Sequence, residues 1–147
     1  MGRHPFSIRT RAAFFAALLG LSPLARGELA VIVNPRSGVD RLTKSQVINI
    51  FLGNHREFPN GLRAKPFDLP ASDPDKGVFY RLLVNKDLSQ IAAYWSRLVF
   101  SGNTSPPTQV DDTRQIIQTV ESNRNAIGYI DSQYADPQRV QVVFTLP

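Results

Sequence analysis

Runs of apolar residues and helix-spaced apolar positions alternate along the chain from residue 28 onwards. The apolar runs predict strands at 28–33, 62–69, 126–130 and 140–146. Apolar residues at intervals of three and four predict helices at 43–52, 74–84, 88–100 and 112–122. This mixed order predicts an α/β domain in which helices flank a small central sheet.

Several residues add detail to this pattern. Thr43-Lys-Ser-Gln46 has the form of a capping box and predicts a helix that begins there. Pro66 interrupts the second strand, which places that strand near an edge or a bulge. Gly128 lies inside a buried strand and predicts a close backbone approach. Trp95 shares the apolar stripe of the third helix, so we expect it in the core rather than as a platform for ligand stacking.

The segment 67–80 is typical of a strand that leads through a polar turn into a helix. Pro70 ends the strand, Ser72 and Asp73 both carry oxygens suited to an N-cap, and Pro74 suits the first helical position. Such a turn directs free backbone N–H groups at one point, which in α/β folds is the usual place for an anion. The same residues also fit a helix start that is only well capped.

Three polar loops are expected to meet at the carboxyl ends of the strands. They are 34–38, 71–76 and the turn at Asp131 and Ser132. Together they predict a polar cleft for a small ligand, although loops are also polar simply because they face water. The candidate ligand-binding residues are Asn34, Arg36, Ser37, Gly38, Ser72, Asp73, Lys76 and Gly77.

Residues 1–27 are typical of a signal peptide. Arg3, Arg9 and Arg11 form a basic segment, an apolar run follows at 12–21, and Ala25-Arg26-Gly27 predicts cleavage after Gly27. The run is shorter than the roughly 20 apolar residues of a membrane span, so no transmembrane anchor is expected after cleavage. We therefore expect an exported, periplasmic protein with one domain at 28–147.

Charge and composition restrict the function of that domain. Four of the 17 lysines and arginines lie in the signal peptide, so 13 basic and 12 acidic residues remain, a net charge of +1. The domain has no basic stripe of the kind that nucleic-acid binding requires, and we expect no nucleic-acid partner. The absence of cysteine excludes disulfides and metal–thiolate or redox chemistry.

No catalytic group of residues is evident in the sequence. His55 is the one histidine after residue 27, it lies in a polar loop, and it has no evident serine or cysteine partner. A histidine-based metal site is not expected with so few histidines. We therefore predict a protein that is not an enzyme and that needs no metal or cofactor.

Three segments follow one another in an order that resembles a known family. They are "LTKSQVINIFLGN", "IAAYWSRLVFSG" and "NAIGYID", with a proline-marked strand leading to a helix after the first. They resemble the phosphate-type substrate-binding proteins of ABC importers, and in particular the short, single-lobe proteins similar to them. The resemblance covers nearly all of 28–146.

The resemblance implies a single lobe with the fold of a type II periplasmic-binding-protein domain. It also implies recognition of a small oxyanion such as phosphate, and an ABC permease or another envelope protein as the partner. Ser72 would lie where the full-length family places a hydroxyl and backbone N–H groups on the phosphate.

A second hypothesis is a periplasmic sensory or protein-interaction module that kept the fold and lost the ligand. It is favoured by Asp73 and Asp75, which place two negative charges in the first helical turn, and by Pro74, which removes an N–H donor.

Overall fold

The computed structural model describes Gly2 and residues 27–147. The predicted signal peptide, apart from Gly2 and Gly27, lies outside the described residues. Within the described part of the chain, no helix is both long and apolar enough to span a membrane.

Five strands and four helices form the domain. The strands are β1 (Leu29–Val33), β2 (Lys65–Asp68), β3 (Thr108–Gln109), β4 (Ala126–Asp131) and β5 (Gln141–Leu146). The helices are α1 (Lys44–Phe51), α2 (Pro74–Val84), α3 (Leu88–Ser101) and α4 (Thr113–Ser122), and a short 3-10 helix follows β4 at Ser132–Tyr134. The predicted mixed α/β class is confirmed.

The strands form one sheet in the order β3-β2-β4-β1-β5. β2 is parallel to both β3 and β4, whereas β1 is antiparallel to both β4 and β5. We call the side where β2, β3 and β4 finish the carboxyl end of the sheet, and the side where they begin the amino end. β1 runs the other way, so its last residue, Val33, pairs with Ile127 near the amino end.

Helices cover both faces of the sheet. Gly128 faces α4, and a Cβ at this position would lie 2.7 Å from Cγ2 of Ile116, which confirms the predicted close approach. The next residue, Tyr129, points to the opposite face because side chains alternate along a strand. There its ring stacks on Phe79 of α2 with 3.8 Å between centroids, and Phe51 of α1 packs edge-on against both.

The helix starts follow the capping pattern. Thr43 forms the predicted capping box with Gln46, and Asp73 is the N-cap of α2 with Pro74 in its first turn. Asp87 caps α3 through a second capping box, and Asp112 caps α4. Trp95 is 7% exposed and lies in the core, as predicted.

Two features of the sheet differ from the sequence prediction by more than one residue. β2 begins at Lys65 rather than at residue 62, because Arg63 instead bridges back to Glu57. β3 was not predicted; its two residues are both exposed and give no apolar signal. β3 pairs only with Phe67 and Asp68, so Pro66 has a neighbouring strand on one side alone, in agreement with its predicted place near an edge.

Candidate functional site

The carboxyl end of the sheet gathers three helix starts. α2 follows β2, α4 follows β3, and the 3-10 helix follows β4. A groove of about 390 Å³ lies at these starts. Its lining residues are Asp73, Asp112, Thr113, Arg114, Ile117, Tyr134 and Arg139.

An aspartate caps each of the three helix starts. The Asp73 carboxylate accepts a hydrogen bond from the Asp75 N–H at 3.0 Å, and Asp112 accepts one from the Gln115 N–H at 2.8 Å. Asp131 accepts one from the Gln133 N–H at 3.0 Å. The partial positive charge of each helix start is thus already balanced by a carboxylate of this chain, and an anion at this end would have to compete with it.

A buried carboxylate lies directly beneath the β2–α2 turn. Asp68, the last residue of β2, is 4% exposed. Its Oδ2 accepts a hydrogen bond from the Tyr80 hydroxyl at 2.6 Å. Its Oδ1 accepts one from the Tyr129 hydroxyl and one from the Leu69 N–H, the latter at 2.8 Å. These donors replace the hydration that the carboxylate loses on burial.

Lys76 supplies the positive charge for this carboxylate. Its Nζ lies 3.7 Å from Oδ2 of Asp68, and its side chain is mostly buried. Burial, and after it the negative charge of Asp68, raises the pKa of both Tyr80 and Tyr129 well above the usual range. Both phenols therefore stay neutral and continue to donate. We call Asp68, Lys76, Tyr80 and Tyr129 the carboxylate cluster.

The predicted residues of the β2–α2 turn have distinct surroundings. Asp73 lines the groove as well as capping α2, whereas Lys76 is directed to Asp68. Ser72 is exposed at the surface of the turn. Gly77 has open space where a Cβ would lie, so no close contact requires glycine there. Ligand binding by these four residues stays a prediction.

The loop at 34–38 does not join the other two loops, and the expectation of a single three-loop cleft is wrong. That expectation assumed that all three preceding strands are parallel. β1 is antiparallel to β4, so its loop leaves from the amino end of the sheet, whereas the other two loops leave from the carboxyl end.

Asn34, Ser37 and Gly38 have structural roles in that loop. Asn34 is buried, and its amide donates to the carbonyls of Val120 and Glu121 at 3.0 and 2.9 Å, which ties the end of β1 to the end of α4. The Ser37 carbonyl accepts from the Asn60 amide at 2.8 Å. Gly38 has a φ of +78°, a conformation that favours glycine.

Arg36 is an exposed residue of the loop. Its carbonyl accepts a hydrogen bond from Arg124 Nε at 2.9 Å. Ligand binding by Asn34, Arg36, Ser37 and Gly38 stays a prediction, now for a place separate from the β2–α2 turn.

The carboxylate cluster was not identified from the sequence. A single signal was available: Asp68 lies between Phe67 and Leu69 at the end of an apolar strand, where a carboxylate needs buried partners. Its partners, Tyr80 and Tyr129, are 12 and 61 residues away along the chain. Only the packing of α2 against β4 brings them together.

The fold of the whole domain is found in solved substrate-binding proteins. A protein of Clostridium perfringens, described as a phosphate ABC transporter substrate-binding protein and solved with bound phosphate, matches with a TM-score of 0.64 and 21% identity. An ABC-type phosphate transport receptor of Vibrio cholerae matches with 0.63 and 18%, and PstS of Borrelia burgdorferi with 0.60 and 13%. The chain has the fold of the matched part of these proteins.

Each match covers 80% of this chain but only 44%, 45% and 46% of the three proteins, respectively. The chain therefore spans less than half the length of the structures that it resembles. None of the three is described as an enzyme. No protein-family model and no curated protein sequence matches the chain.

Proposed function

We propose that this protein is an exported solute-binding protein that recognises a small oxyanion such as phosphate in the groove at the carboxyl end of the sheet. The observation that carries the proposal is the fold shared over 80% of the chain with phosphate-binding components of ABC importers. In an α/β fold, a ligand usually binds outside the carboxyl ends of the strands, and the groove lies there.

The groove contains donors for such a ligand. Arg114 offers a planar guanidinium that matches an oxyanion in a bidentate manner, and Thr113 and Tyr134 add hydroxyl groups. Arg139 also lines the groove, but its guanidinium already donates to Glu121 at 2.6 and 2.9 Å. Ser72 is the remaining candidate hydroxyl, at the surface of the adjacent turn.

Asp73 and Asp112 select the protonation state of the ligand. A carboxylate repels a fully ionised oxyanion, but it accepts a hydrogen bond from an oxyanion that still carries a proton. We therefore expect monobasic phosphate to bind more tightly than the dibasic ion, and affinity to fall as the pH rises through the second ionisation of phosphate.

A single lobe leaves one side of this groove open to solvent. Water weakens polar contacts to a ligand, so we expect weak binding unless a partner covers the open side. An ABC permease or another periplasmic protein is the partner that this role implies. The periplasmic location rests on the predicted signal peptide, and the mature N-terminus, expected at Glu28, would test it.

Calorimetry and thermal shift with phosphate and sulfate test the proposal. A ligand at a hundred times its dissociation constant adds about 2.7 kcal/mol to the free energy of unfolding, so millimolar phosphate should raise the melting temperature. Arg114→Gln should reduce this shift. Arg97→Gln, at another exposed helical arginine that does not line the groove, should retain it.

The proposal fails if neither anion stabilises the protein at any pH, or if Arg114→Gln leaves the shift intact. In the first case the second candidate, a module that has lost the ligand, is favoured. The three aspartate caps support that candidate, because they occupy the helix starts that an anion would use. Its own test is a pull-down from the periplasm, and a monomer that saturates with a small anion would contradict it.

A further inference from the structure

A second groove lies at the amino end of the sheet. It has a volume of about 650 Å³ and is formed by the loop between α1 and β2 and the loop between α3 and β3. The two loops are in close contact, since a Cβ at Gly53 would lie 2.5 Å from Oγ1 of Thr104. The lining residues are Gly53, Asn54, His55, Arg56, Glu57, Gly61, Arg63, Gly102, Asn103, Thr104 and Ser105.

Arg56 is held in a fixed orientation at the base of this groove. Its Nε donates to the carbonyl of Ile50 at 3.0 Å, and its guanidinium lies 5.8 Å from the centre of the Trp95 ring, within the range of a cation–π contact. Its Nη2 is buried and has no hydrogen-bond partner among the described residues. Buried N–H groups nearly always have a partner, so this atom can donate one hydrogen bond that the described residues do not accept.

Arg63 adds a second positive charge to the same groove. Its side chain is exposed and makes no ion pair with a described carboxylate. Burial, and after it the positive charge of Arg63, lowers the pKa of Arg56. Both arginines line the same groove, and the positive charge of Arg63 disfavours that of Arg56.

Glu57 supplies the one carboxylate among the described lining residues. It lies 3.8 Å from Nε2 of His55, with which it forms an ion pair when the histidine is protonated. The rest of the lining consists of hydroxyl and amide side chains and of glycines, which suits a polar ligand rather than an apolar one.

We propose that Arg56 and Arg63 bind an oxyanion group, a phosphate or a carboxylate, in the groove at the amino end of the sheet. An anion between the two guanidiniums would replace their repulsion with charge-assisted hydrogen bonds, which are about twice as strong as neutral ones. Thr104 and Ser105 would donate to the same ligand. This site is separate from the groove at the carboxyl end, and either can fail without the other.

Trp95 provides a direct readout of this site. It is the single tryptophan of the chain, and it lies against Arg56. Inorganic phosphate, glucose 6-phosphate and citrate are titrated at constant ionic strength while the Trp95 fluorescence is recorded. We expect a saturable change with at least one of them. A response to inorganic phosphate indicates that the site binds the free ion. A response only to glucose 6-phosphate or citrate indicates that it binds an oxyanion group of a larger organic molecule.

Two variants connect the response to the arginines. Arg63→Gln removes an exposed side chain with no described partner and should weaken the apparent affinity by about tenfold or more. Arg56→Lys retains the charge but loses the planar fork, and it should weaken affinity in the same direction. The control is Arg41→Gln, at an exposed loop arginine outside the groove, and it should bind as the unaltered protein does.

The proposal is overturned if no probe changes the fluorescence, if the change grows without saturation, or if Arg63→Gln and Arg56→Lys titrate as the unaltered protein does. Arg114→Gln distinguishes the two sites. It should reduce the thermal stabilisation by phosphate proposed above and leave the Trp95 titration unaffected, because Arg114 lines only the groove at the carboxyl end.

Discussion

The two ends of the sheet carry charged groups of the same types but differ in how those charges are balanced. At the carboxyl end, Asp73 and Asp112 balance helix starts, and Lys76 lies 3.7 Å from the buried Asp68. At the amino end, Arg56 and Arg63 face a common groove without a described carboxylate bound to either of them.

The difference shows that residue type alone does not locate a binding site. The β2–α2 turn has the residues of an anion site, but its carboxylates already occupy the helix starts. Among the described residues, the amino-end groove has no helix start and no glycine fingerprint, yet neither of its arginines forms an ion pair with a carboxylate. Unbalanced charge, rather than a motif, indicates where a ligand can still be bound.

Removal of a tyrosine hydroxyl from the carboxylate cluster should have the largest effect. Tyr129→Phe or Tyr80→Phe removes a hydrogen bond to a buried charge, which typically contributes about 1.5–3 kcal/mol. Each variant should lose free energy of unfolding in that range, measured by urea denaturation. The ring stack of Tyr129 on Phe79 is retained in Tyr129→Phe, so the loss reports on the hydroxyl.

Tyr134→Phe is the matched control. Tyr134 is 55% exposed and makes no contact with Asp68, so its variant should stay within about 0.5 kcal/mol of the unaltered protein. If Tyr80→Phe and Tyr129→Phe behave like this control, Asp68 is not held as a buried charge, and the contrast between the two ends of the sheet disappears.

Alkaline pH should weaken the same cluster. The folded-state pKa of Tyr80 and Tyr129 is raised, first by burial and then by Asp68, so the stabilisation is fully present below about pH 10, the ordinary pKa of tyrosine. Above it, the unfolded chain releases protons that the folded chain retains. The free energy of unfolding should therefore fall by up to about 1.4 kcal/mol per pH unit for each tyrosine.

Urea denaturation across this pH range measures the slope, and the Tyr80→Phe/Tyr129→Phe double variant is the comparison. The variant should have the shallower slope, since lysines and other exposed groups titrate in both proteins. Equal slopes would mean that the two phenols ionise as easily in the folded chain as in the unfolded one.

Much of the fold could be predicted because local signals agree with the tertiary structure. The capping box at Thr43, the proline in the first turn of α2 and the glycine of β4 each have the predicted role. The sequence was less informative about which apolar helix residues are buried. Leu82 of α2 and Val99 of α3 are apolar but 37% and 55% exposed, whereas Tyr80 is fully buried because Asp68 lies on its side of α2.

Only part of the candidate site could be predicted, because the direction of each strand decides which loops lie at the same end of the sheet. Alternating strands and helices usually form parallel sheets, which suggested that the loops after β1, β2 and β4 share one end. The reversed direction of β1 cannot be read from its own residues, because Leu29–Val33 is apolar on both faces. The amino-end groove was missed for a similar reason, since Arg56 and Arg63 appear in the sequence as ordinary polar loop residues.

The smallest expected effect on the free energy of unfolding is that of Arg63→Gln, which should increase it, whereas the tyrosine variants should decrease it. At the carboxyl end, loss of a polar group should destabilise the protein. At the amino end, Arg63→Gln should stabilise it by about 0.5 kcal/mol, the scale of an exposed charge interaction, because it removes repulsion against Arg56. The gain should be largest at low ionic strength and should vanish at high salt, where exposed charges are screened.

Urea denaturation at both salt concentrations measures this gain in the free energy of unfolding, with Arg41→Gln as the control. A loss of stability in Arg63→Gln would mean that Arg63 already has a stabilising partner, and the two ends of the sheet would then be balanced alike.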